Sequence, residues 1–238
     1  MICWILAAIA AFFVKGLCGF ANTLVFTSIL SFGNSNVNIS PVDLLLGYPA
    51  NLIMAWKERK SIRWNVCIPL ALLVIASSIP GILFLKNADT RIIKLFLGAV
   101  IIFIALEMLL REYQTKKMKQ SKIILGIIGA VSGLLCGVYG IGALLGAYMN
   151  RVCADSSSFK ANICVVFLAE NTFRIVLYAM WEIITFAVVK QAMSLIPFVL
   201  AGLTLGMLSG QFLEERLIKK LVIFMLIVSG VVLILQNL

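Results

Sequence analysis

The chain has 238 residues, of which 62% are hydrophobic and only 13% charged, with a mean hydropathy of +1.09. A soluble domain is nearer half apolar and a quarter charged, so this composition is that of an integral membrane protein. The net charge of +10 does not indicate nucleic-acid binding, because the basic residues stand in short loops between apolar segments. Since the sequence has no histidine, catalysis by imidazole is excluded, and since no CxxC pair occurs, neither a zinc site nor a disulfide framework is indicated.

Eight apolar segments follow one another along the chain. Their lengths are near or above the roughly 20 residues that a helix needs to cross a hydrocarbon core of about 30 Å. Strand-like alternation is absent, and open sheets do not survive in lipid, so we expect an all-α membrane bundle. The segments are 2–32, 40–56, 66–85, 92–110, 122–150, 160–181, 187–213 and 221–236.

The first and fifth segments are too long for one straight span. A helix over the 31 residues of 2–32 would be about 46 Å long. Each of the two segments holds a cluster of glycines near its middle, and glycine weakens a helix by about 1 kcal/mol relative to alanine. We therefore expect two re-entrant helical hairpins that turn at these glycines. Glycines that only allow close helix packing are the alternative.

The two halves of the chain resemble each other. VKGLCGFANTLV at 14–25 is similar to VSGLLCGVYGIGALL at 131–145, and the hydrophilic stretch at 111–122 joins the halves. This predicts a first membrane repeat at 1–115 and a second at 116–238, within one integral transmembrane domain. Internal repeats of this kind are typical of secondary transporters.

The charges of the loops distinguish two topologies. If all eight segments span the membrane, the lysines and arginines of alternate loops number eight and ten, which gives no orientation. If the first and fifth segments are re-entrant, the numbers become fourteen and four, and the positive-inside rule places both termini outside. Each half then has one hairpin and three transmembrane helices, so that the two repeats are inverted. Eight plain spans in two parallel repeats remain the alternative.

Lys15 stands about 14 residues into the first segment, which places it near the midplane of a bilayer. A charge at that depth costs at least about 2.5–3.5 kcal/mol on insertion scales, so it should face a cavity or a partner. We expect this charge to attract an anion. Snorkelling, or pairing with a carboxylate such as Glu170, is the alternative.

The tips of the two broken helices are the second predicted anion site. A broken helix exposes backbone N–H groups and a positive dipole end, which both favour anions. The substrate-binding residues predicted at these tips are Gly19, Phe20, Asn22, Gly137, Tyr139 and Gly140.

Two asparagines, Asn51 and Asn171, lie at similar mid-membrane depth in the second segment of each half. The helix that carries Asn51 opens with Ser40-Pro41-Val42-Asp43, which resembles a capping box. The two amides could donate hydrogen bonds to the oxygens of an anion, while hydrogen bonding between helices is the alternative.

Glu170 and Arg174 are four residues apart and therefore share one face of a helix. A simple ion pair would let this helix insert into the membrane. In the other interpretation Arg174 is a further anion ligand, and Glu170 carries the proton that couples transport.

Two glycine-containing motifs, one in each half of the chain, resemble the signatures of a known family. GLCGFANTLV and VSGLLCGVYGIGALLGAYM resemble the first-half and second-half signatures of the sulfite exporter TauE/SafE family, also called the 4-toluene sulfonate uptake permeases. The resemblance extends over essentially the whole chain, and it implies an integral membrane transporter of sulfite, organosulfonates or other sulfur-containing anions. Where the family often has further glycines and a proline, this chain has Ala21-Asn22 and Ala143-Leu144.

These observations together predict a secondary carrier, multi-pass in the cytoplasmic membrane, for a small anion such as sulfite, thiosulfate or a sulfonate. An anion channel is the alternative. We expect no enzyme activity, no metal and no cofactor, and GVYGIGALLG lacks the lysine and the strand context of a P-loop. The expected partners are the anion, the lipid bilayer and a coupling proton or cation, but no nucleic acid. The oligomeric state is open, with a homodimer among the alternatives.

Overall fold

The computed structural model describes four stretches of the chain and a number of single positions. The stretches are 2–31, 39–87, 155–212 and 215–235. The single positions are 95, 98, 99, 102, 103, 105, 106, 109, 145, 146, 149 and 153. Most of the fourth and fifth apolar segments, and the loop that joins the two predicted repeats, lie outside the described residues. The repeats themselves therefore stay a prediction.

Every regular element in the described stretches is helical, which confirms the all-α class for this part of the chain. A short 3₁₀ turn at Arg59–Ser61 connects the third helix to the fourth. The α-helices of the four described stretches are α1 (Ile2–Cys18), α2 (Asn22–Ser31), α3 (Ile39–Lys57), α4 (Trp64–Asn87), α5 (Ser156–Met180), α6 (Phe186–Phe212) and α7 (Glu215–Leu235). From α3 to α6 the helices begin and end within a few residues of the predicted segments. The last helix, α7, begins earlier than predicted, because the charged residues before 221 continue it.

The first apolar segment forms two helices with a break between them. Between α1 and α2 the backbone takes positive φ angles, 89° at Gly19 and 71° at Ala21. Glycine adopts such a conformation without strain, which explains why this position carries no side chain. The predicted break is therefore present, and Gly19 makes the turn.

The chain reverses direction after this break. The rings of Trp4 in α1 and Phe26 in α2 lie 5.8 Å apart, edge to face. In one continuous helix these two positions would be separated by about 33 Å. The helix α2 therefore folds back onto α1.

The helices α1 and α6 pack with their backbones in contact. A Cβ atom on Gly16 would lie 2.5 Å from the carbonyl oxygen of Leu203, and one on Gly202 would lie 2.5 Å from that of Ile9. A Cβ atom on Gly206 would overlap the α1 backbone in the same way. The spacing of four residues between Gly202 and Gly206 places both on one face of α6, as in other close helix pairs of membranes. Gly16 therefore allows close helix packing, which was the alternative interpretation of these glycines, whereas Gly19 makes the turn.

Two of the described helices, α5 and α6, are long and apolar enough to cross a membrane by length and composition. The qualifying ranges are Ser156–Met180 and Phe186–Gly210, of 25 residues each. Large apolar side chains on their outer surfaces are exposed, as expected for helices that lipid covers. Examples are Val176, Met180, Phe186, Met193, Leu205 and Phe212.

Candidate functional site

The broken end of α1 lies inside the protein, where the last carbonyl groups of a helix have no helical partner. Three side chains donate hydrogen bonds to carbonyls at the end of α1 and in the break that follows it. The Cys18 thiol donates to Val14 O at 3.0 Å and to Phe20 O at 3.1 Å, Lys160 Nζ donates to Gly16 O at 3.5 Å, and Cys164 Sγ donates to Gly19 O at 3.7 Å. Non-helical backbone is tolerated at membrane depth where such partners are present, so this break is a stable part of the fold.

A buried chain of hydrogen bonds runs from α1 to α3 across this break. Lys15 Nζ donates to Asn22 Oδ1 at 2.9 Å, and Asn22 Nδ2 donates to Asp43 Oδ1 at 3.2 Å. The other carboxylate oxygen of Asp43 accepts from Thr23 Oγ1 at 2.5 Å. Lys15 is 1% exposed and Asp43 is 4% exposed, so both charges are removed from solvent. The network joins a buried cation to a buried anion through one amide.

The neighbours of Asn22 fix the orientation of its amide. An ammonium group can only donate hydrogen bonds, so Asn22 must present its oxygen to Lys15. The amide nitrogen then points to the carboxylate of Asp43, which accepts. Both neighbours demand the same orientation, and the donor end of Asn22 is therefore held toward α3.

Asp43 belongs to this candidate site, although its sequence context predicted only that it stands at the start of a helix. The helix α3 begins at Ile39, so Asp43 lies beyond its first turn and turns its carboxylate to α2. The available signal was a single acidic residue within an otherwise apolar segment, which is costly in a membrane unless it has a role.

Two amide nitrogens converge on Gly47, one helical turn along α3 from Asp43. A Cβ atom placed on Gly47 would lie 3.6 Å from Asn22 Nδ2 and 3.7 Å from Asn171 Nδ2. Within the part of the chain that the structure describes, these are the two heavy atoms of other elements that come within 4 Å of that point. The nitrogens of two side-chain amides from different helices therefore lie beside the same small space above Gly47. The nitrogen of Asn22 also donates to Asp43 Oδ1 and, at 3.5 Å, to Thr23 Oγ1. Asn171 makes no hydrogen bond to a described residue.

Asn51 extends this face of α3 by a further turn. It is 1% exposed, and its Oδ1 atom has no hydrogen-bond partner among the described residues. Pro49 lies inside α3 close to this point and removes one hydrogen bond of the helical ladder, since proline has no N–H group. Because residues 43, 47 and 51 are spaced by four, one face of α3 carries the carboxylate, the space above Gly47 and a buried amide.

Glu170 and Arg174 form the ion pair that their spacing predicts. Arg174 Nε lies 3.6 Å from Glu170 Oε1, and Arg174 also donates to Ser40 Oγ at 3.3 Å and to Tyr178 Oη at 3.0 Å. The contact with Ser40 connects α5 to the first turn of α3. Glu170, which was the alternative partner of Lys15, therefore pairs within its own helix. The proposed roles of Arg174 as an anion ligand and of Glu170 as a proton carrier stay predictions.

The remaining predicted site residues fall in two groups. Phe20 is buried, with its ring 5.9 Å from that of Phe159 and its edge against Gly146. This places Phe20 between the first break and the fifth apolar segment. Gly137, Tyr139 and Gly140, which form the predicted second tip, lie outside the described residues. Among the residues that are described, no three His, Cys, Asp or Glu side chains come together in a way that could hold a metal ion.

These features define a helical membrane protein with a buried polar cluster at a broken helix. The family model of the sulfite exporter TauE/SafE family matches residues 4–233, which is nearly the whole chain. The chain therefore belongs to this family of membrane transporters, as the glycine motifs indicated. No curated protein and no solved structure matches the chain.

Proposed function

We propose that the protein is a secondary carrier of the cytoplasmic membrane that moves a small sulfur-containing anion, such as sulfite, thiosulfate or a sulfonate. The observation that carries this proposal is the convergence of two amide donors, from Asn22 and Asn171, on the space above Gly47. Buried Lys15 lies directly behind one of these donors. Membership of the family supports the choice of substrate class.

The chemistry of this cluster suits an oxyanion. The two amide nitrogens come from separate helices and can donate to separate oxygen atoms of one tetrahedral or pyramidal anion. Lys15 contributes a positive charge, and a buried charge acts more strongly than an exposed one because water does not screen it. The turn at Gly19 lets α1 end and α2 begin beside this space, which brings Lys15 and Asn22 together although they are seven residues apart.

The proposed topology is that of two inverted repeats with re-entrant hairpins. The reversal of the chain between α1 and α2 supports such a hairpin in the first half. The helices α3 and α5 occupy corresponding places in the two halves, and Asn171 of α5 faces Gly47 of α3. An anion held between corresponding helices would be exposed to each side in turn as the halves rock against each other.

The experiment that tests this proposal compares two glycine-to-alanine variants. Purified protein would be titrated by calorimetry with sulfite, thiosulfate, sulfate, sulfoacetate and a longer sulfonate, with acetate as the control anion. In Gly47→Ala the new methyl group makes ordinary contacts at 3.6 and 3.7 Å, so the fold accepts it while the space above Gly47 is filled. Alanine also favours a helix by about 1 kcal/mol over glycine, so stability should not fall. We expect at least a tenfold loss of affinity, roughly the effect of one displaced hydrogen bond.

Gly210→Ala is the matched control. Its methyl group would also make ordinary contacts, the nearest at 3.6 Å to Lys160 Nζ, but it lies on α6 and away from the two amides. Affinity in this variant should equal that of the wild type. If no sulfur anion binds to the wild type, or if the two variants bind alike, then the substrate class or the site is wrong.

An anion channel would use the same donors, and flux measurements distinguish the two mechanisms. In proteoliposomes a carrier shows saturable uptake and counterflow, in which unlabelled anion inside the vesicle drives labelled anion in. We expect counterflow. Ohmic current without counterflow would establish the channel instead.

A further inference from the structure

The carboxylate of Asp43 occupies the place where an anion is expected. Its two oxygen atoms accept hydrogen bonds from the side chains of Asn22 and Thr23, which are the first two residues of α2. The N-terminal end of a helix carries a partial positive charge and attracts anions. Asp43 therefore acts as a resident anion at the start of α2, and Asn22 is the donor that this resident anion shares with the space above Gly47.

The charges of the cluster balance when no substrate is bound. Two cations lie near Asp43: Lys15 of α1 connects to it through Asn22, and Arg174 of α5, which is paired with Glu170, donates to Ser40 one turn before it in α3. The residues of α2 that contact Asp43 are neutral, and the charged residue within α6, Lys190, is exposed. With both carboxylates ionised, the net charge of these four buried side chains is therefore zero.

A substrate anion would disturb this balance. An additional negative charge, buried without a partner, is strongly unfavourable in a low-dielectric interior. One proton on a carboxylate of the cluster restores neutrality. Asp43 is the carboxylate whose protonation also changes the site, because a neutral carboxyl group holds the Asn22 N–H less strongly than a carboxylate does. That N–H can then turn to the substrate.

We propose that Asp43 takes up one proton when the anion binds, so that the anion and a proton move together. This inference rests on the proposed function and assigns the coupling role to Asp43, whereas the sequence analysis assigned it to Glu170. The proton comes from bulk water and goes to a carboxylate oxygen of Asp43, and no covalent bond other than this O–H bond is formed. The affinity for the anion then rises as the pH falls, by up to about tenfold per pH unit while Asp43 is ionised in the free protein.

Proton uptake can be measured directly on the whole protein. Thiosulfate is the first probe, because it stays ionised between about pH 6 and pH 8, and its binding heat would be compared in buffers of different ionisation enthalpy. If sulfite binds instead, the protons that free sulfite itself carries are measured in a titration without protein and subtracted from the total. We expect about one proton to be taken up for each anion bound.

Two variants identify the group that takes up the proton. Asp43→Asn mimics the protonated carboxyl group, so it should bind the anion without proton uptake and with an affinity that does not depend on pH. Glu170→Gln is the matched control, since it removes the other buried carboxylate of the cluster, and it should keep the uptake of one proton. Absence of uptake in the wild type, persistence of uptake in Asp43→Asn or its loss in Glu170→Gln would each overturn the proposal.

A milder pair of variants serves if Asp43→Asn does not fold. Thr23→Val removes one donor to the ionised carboxylate, so the pH below which affinity stops rising should move to a higher value. Thr27→Val removes a hydroxyl that donates to the backbone of its own helix, and it should leave this pH unchanged. An unchanged pH in Thr23→Val would contradict the proposal. Failure of the wild type to bind any anion would refute the proposed function itself, whereas binding without proton uptake would refute only this inference.

Discussion

Two buried asparagines on α5 have opposite surroundings. The amide of Asn162, near the start of the helix, is fully used. It accepts from Arg63 N at 2.7 Å and from Cys67 Sγ at 3.0 Å, and it donates to Ser158 O at 2.6 Å and to Ser61 O at 3.4 Å. The amide of Asn171, near the middle of the helix, makes no hydrogen bond to a described residue and faces the space above Gly47.

The difference separates a polar group that stabilises the fold from one that is available to a ligand. Asn162 joins α5 to α4 and to the 3₁₀ turn, and its amide oxygen accepts from both the Arg63 N–H group and the Cys67 thiol. The Cys153 thiol lies against the same amide, and burial raises the pKa of this thiol, so that it stays neutral there. A buried amide without partners costs stability, and proteins keep such groups mainly where a ligand uses them. Because neither Asn171 nor the Oδ1 atom of Asn51 has a hydrogen-bond partner among the described residues, we expect both to be of this second kind.

The largest expected effect comes from removing one of the two linked buried charges, those of Lys15 and Asp43. Lys15→Met removes the cation that balances Asp43 and should destabilise the protein by about 3–5 kcal/mol, as is found when one partner of a buried pair is lost. The double variant Lys15→Met with Asp43→Asn removes both charges and should recover more than half of this loss. The measurement is the midpoint of thermal unfolding in detergent. Lys190→Met, at an exposed position on α6, is the control and should behave like the wild type.

Additive effects would contradict this prediction. If the double variant is less stable than the wild type by the sum of the losses of the two single variants, then Lys15 and Asp43 do not act on each other through Asn22. The hydrogen-bond chain would then be a set of independent contacts.

A smaller effect should distinguish the two asparagines. Asn162→Leu removes the side-chain acceptor of the Arg63 N–H group and of the Cys67 thiol, and it should cost about 2–3 kcal/mol of stability. Asn171→Leu removes an amide that has no partner among the described residues, so its stability should change by less than about 0.5 kcal/mol. Anion affinity should show the reverse order, with a loss in Asn171→Leu and no change in Asn162→Leu. Thermal unfolding and calorimetric titration of both variants measure the two quantities.

The comparison fails if both variants lose stability equally. In that case Asn171 would be a packing residue of α5, and the proposed anion would lose one of its two amide donors. Equal loss of affinity in both variants would show instead that binding depends on the general stability of α5.

Hydrophobicity predicted the positions of the helices well, because entry into a membrane depends mainly on local composition. The limits of α3 to α6 and the break at Gly19 could be inferred from the sequence for this reason. The function class could also be inferred, since the two glycine motifs identify the family. These properties are set by residues close together in the chain.

The partners of the buried charges could not be predicted in the same way. Lys15 contacts Asn22 across a turn whose geometry depends on two positive φ angles, and Asp43 contacts Thr23 from a helix twenty residues further on. Composition says which residues enter the membrane, but not which faces of the helices meet there. The predicted alternative was a contact between Lys15 and Glu170, but Lys15 contacts the amide of Asn22 and is connected through it to a different carboxylate, that of Asp43.

The smallest effect tests whether Asp43 is held as an anion in the substrate-free protein. Thr23→Val removes a hydroxyl donor at 2.5 Å from the carboxylate, and hydrogen bonds to charged groups contribute about 1.5–3 kcal/mol. Thr27→Val is the matched control on α2. The Thr27 hydroxyl donates to the carbonyl of Thr23, and that carbonyl already has a partner in the helix backbone. We expect a lower midpoint of thermal unfolding for Thr23→Val near pH 8 and little change for Thr27→Val. The difference should shrink as the pH falls, because a protonated Asp43 needs the Thr23 donor less. A loss near pH 8 that is no larger in Thr23→Val than in Thr27→Val would mean that Asp43 is not held as an anion in the free protein, and the resident anion at the start of α2 would have to be abandoned.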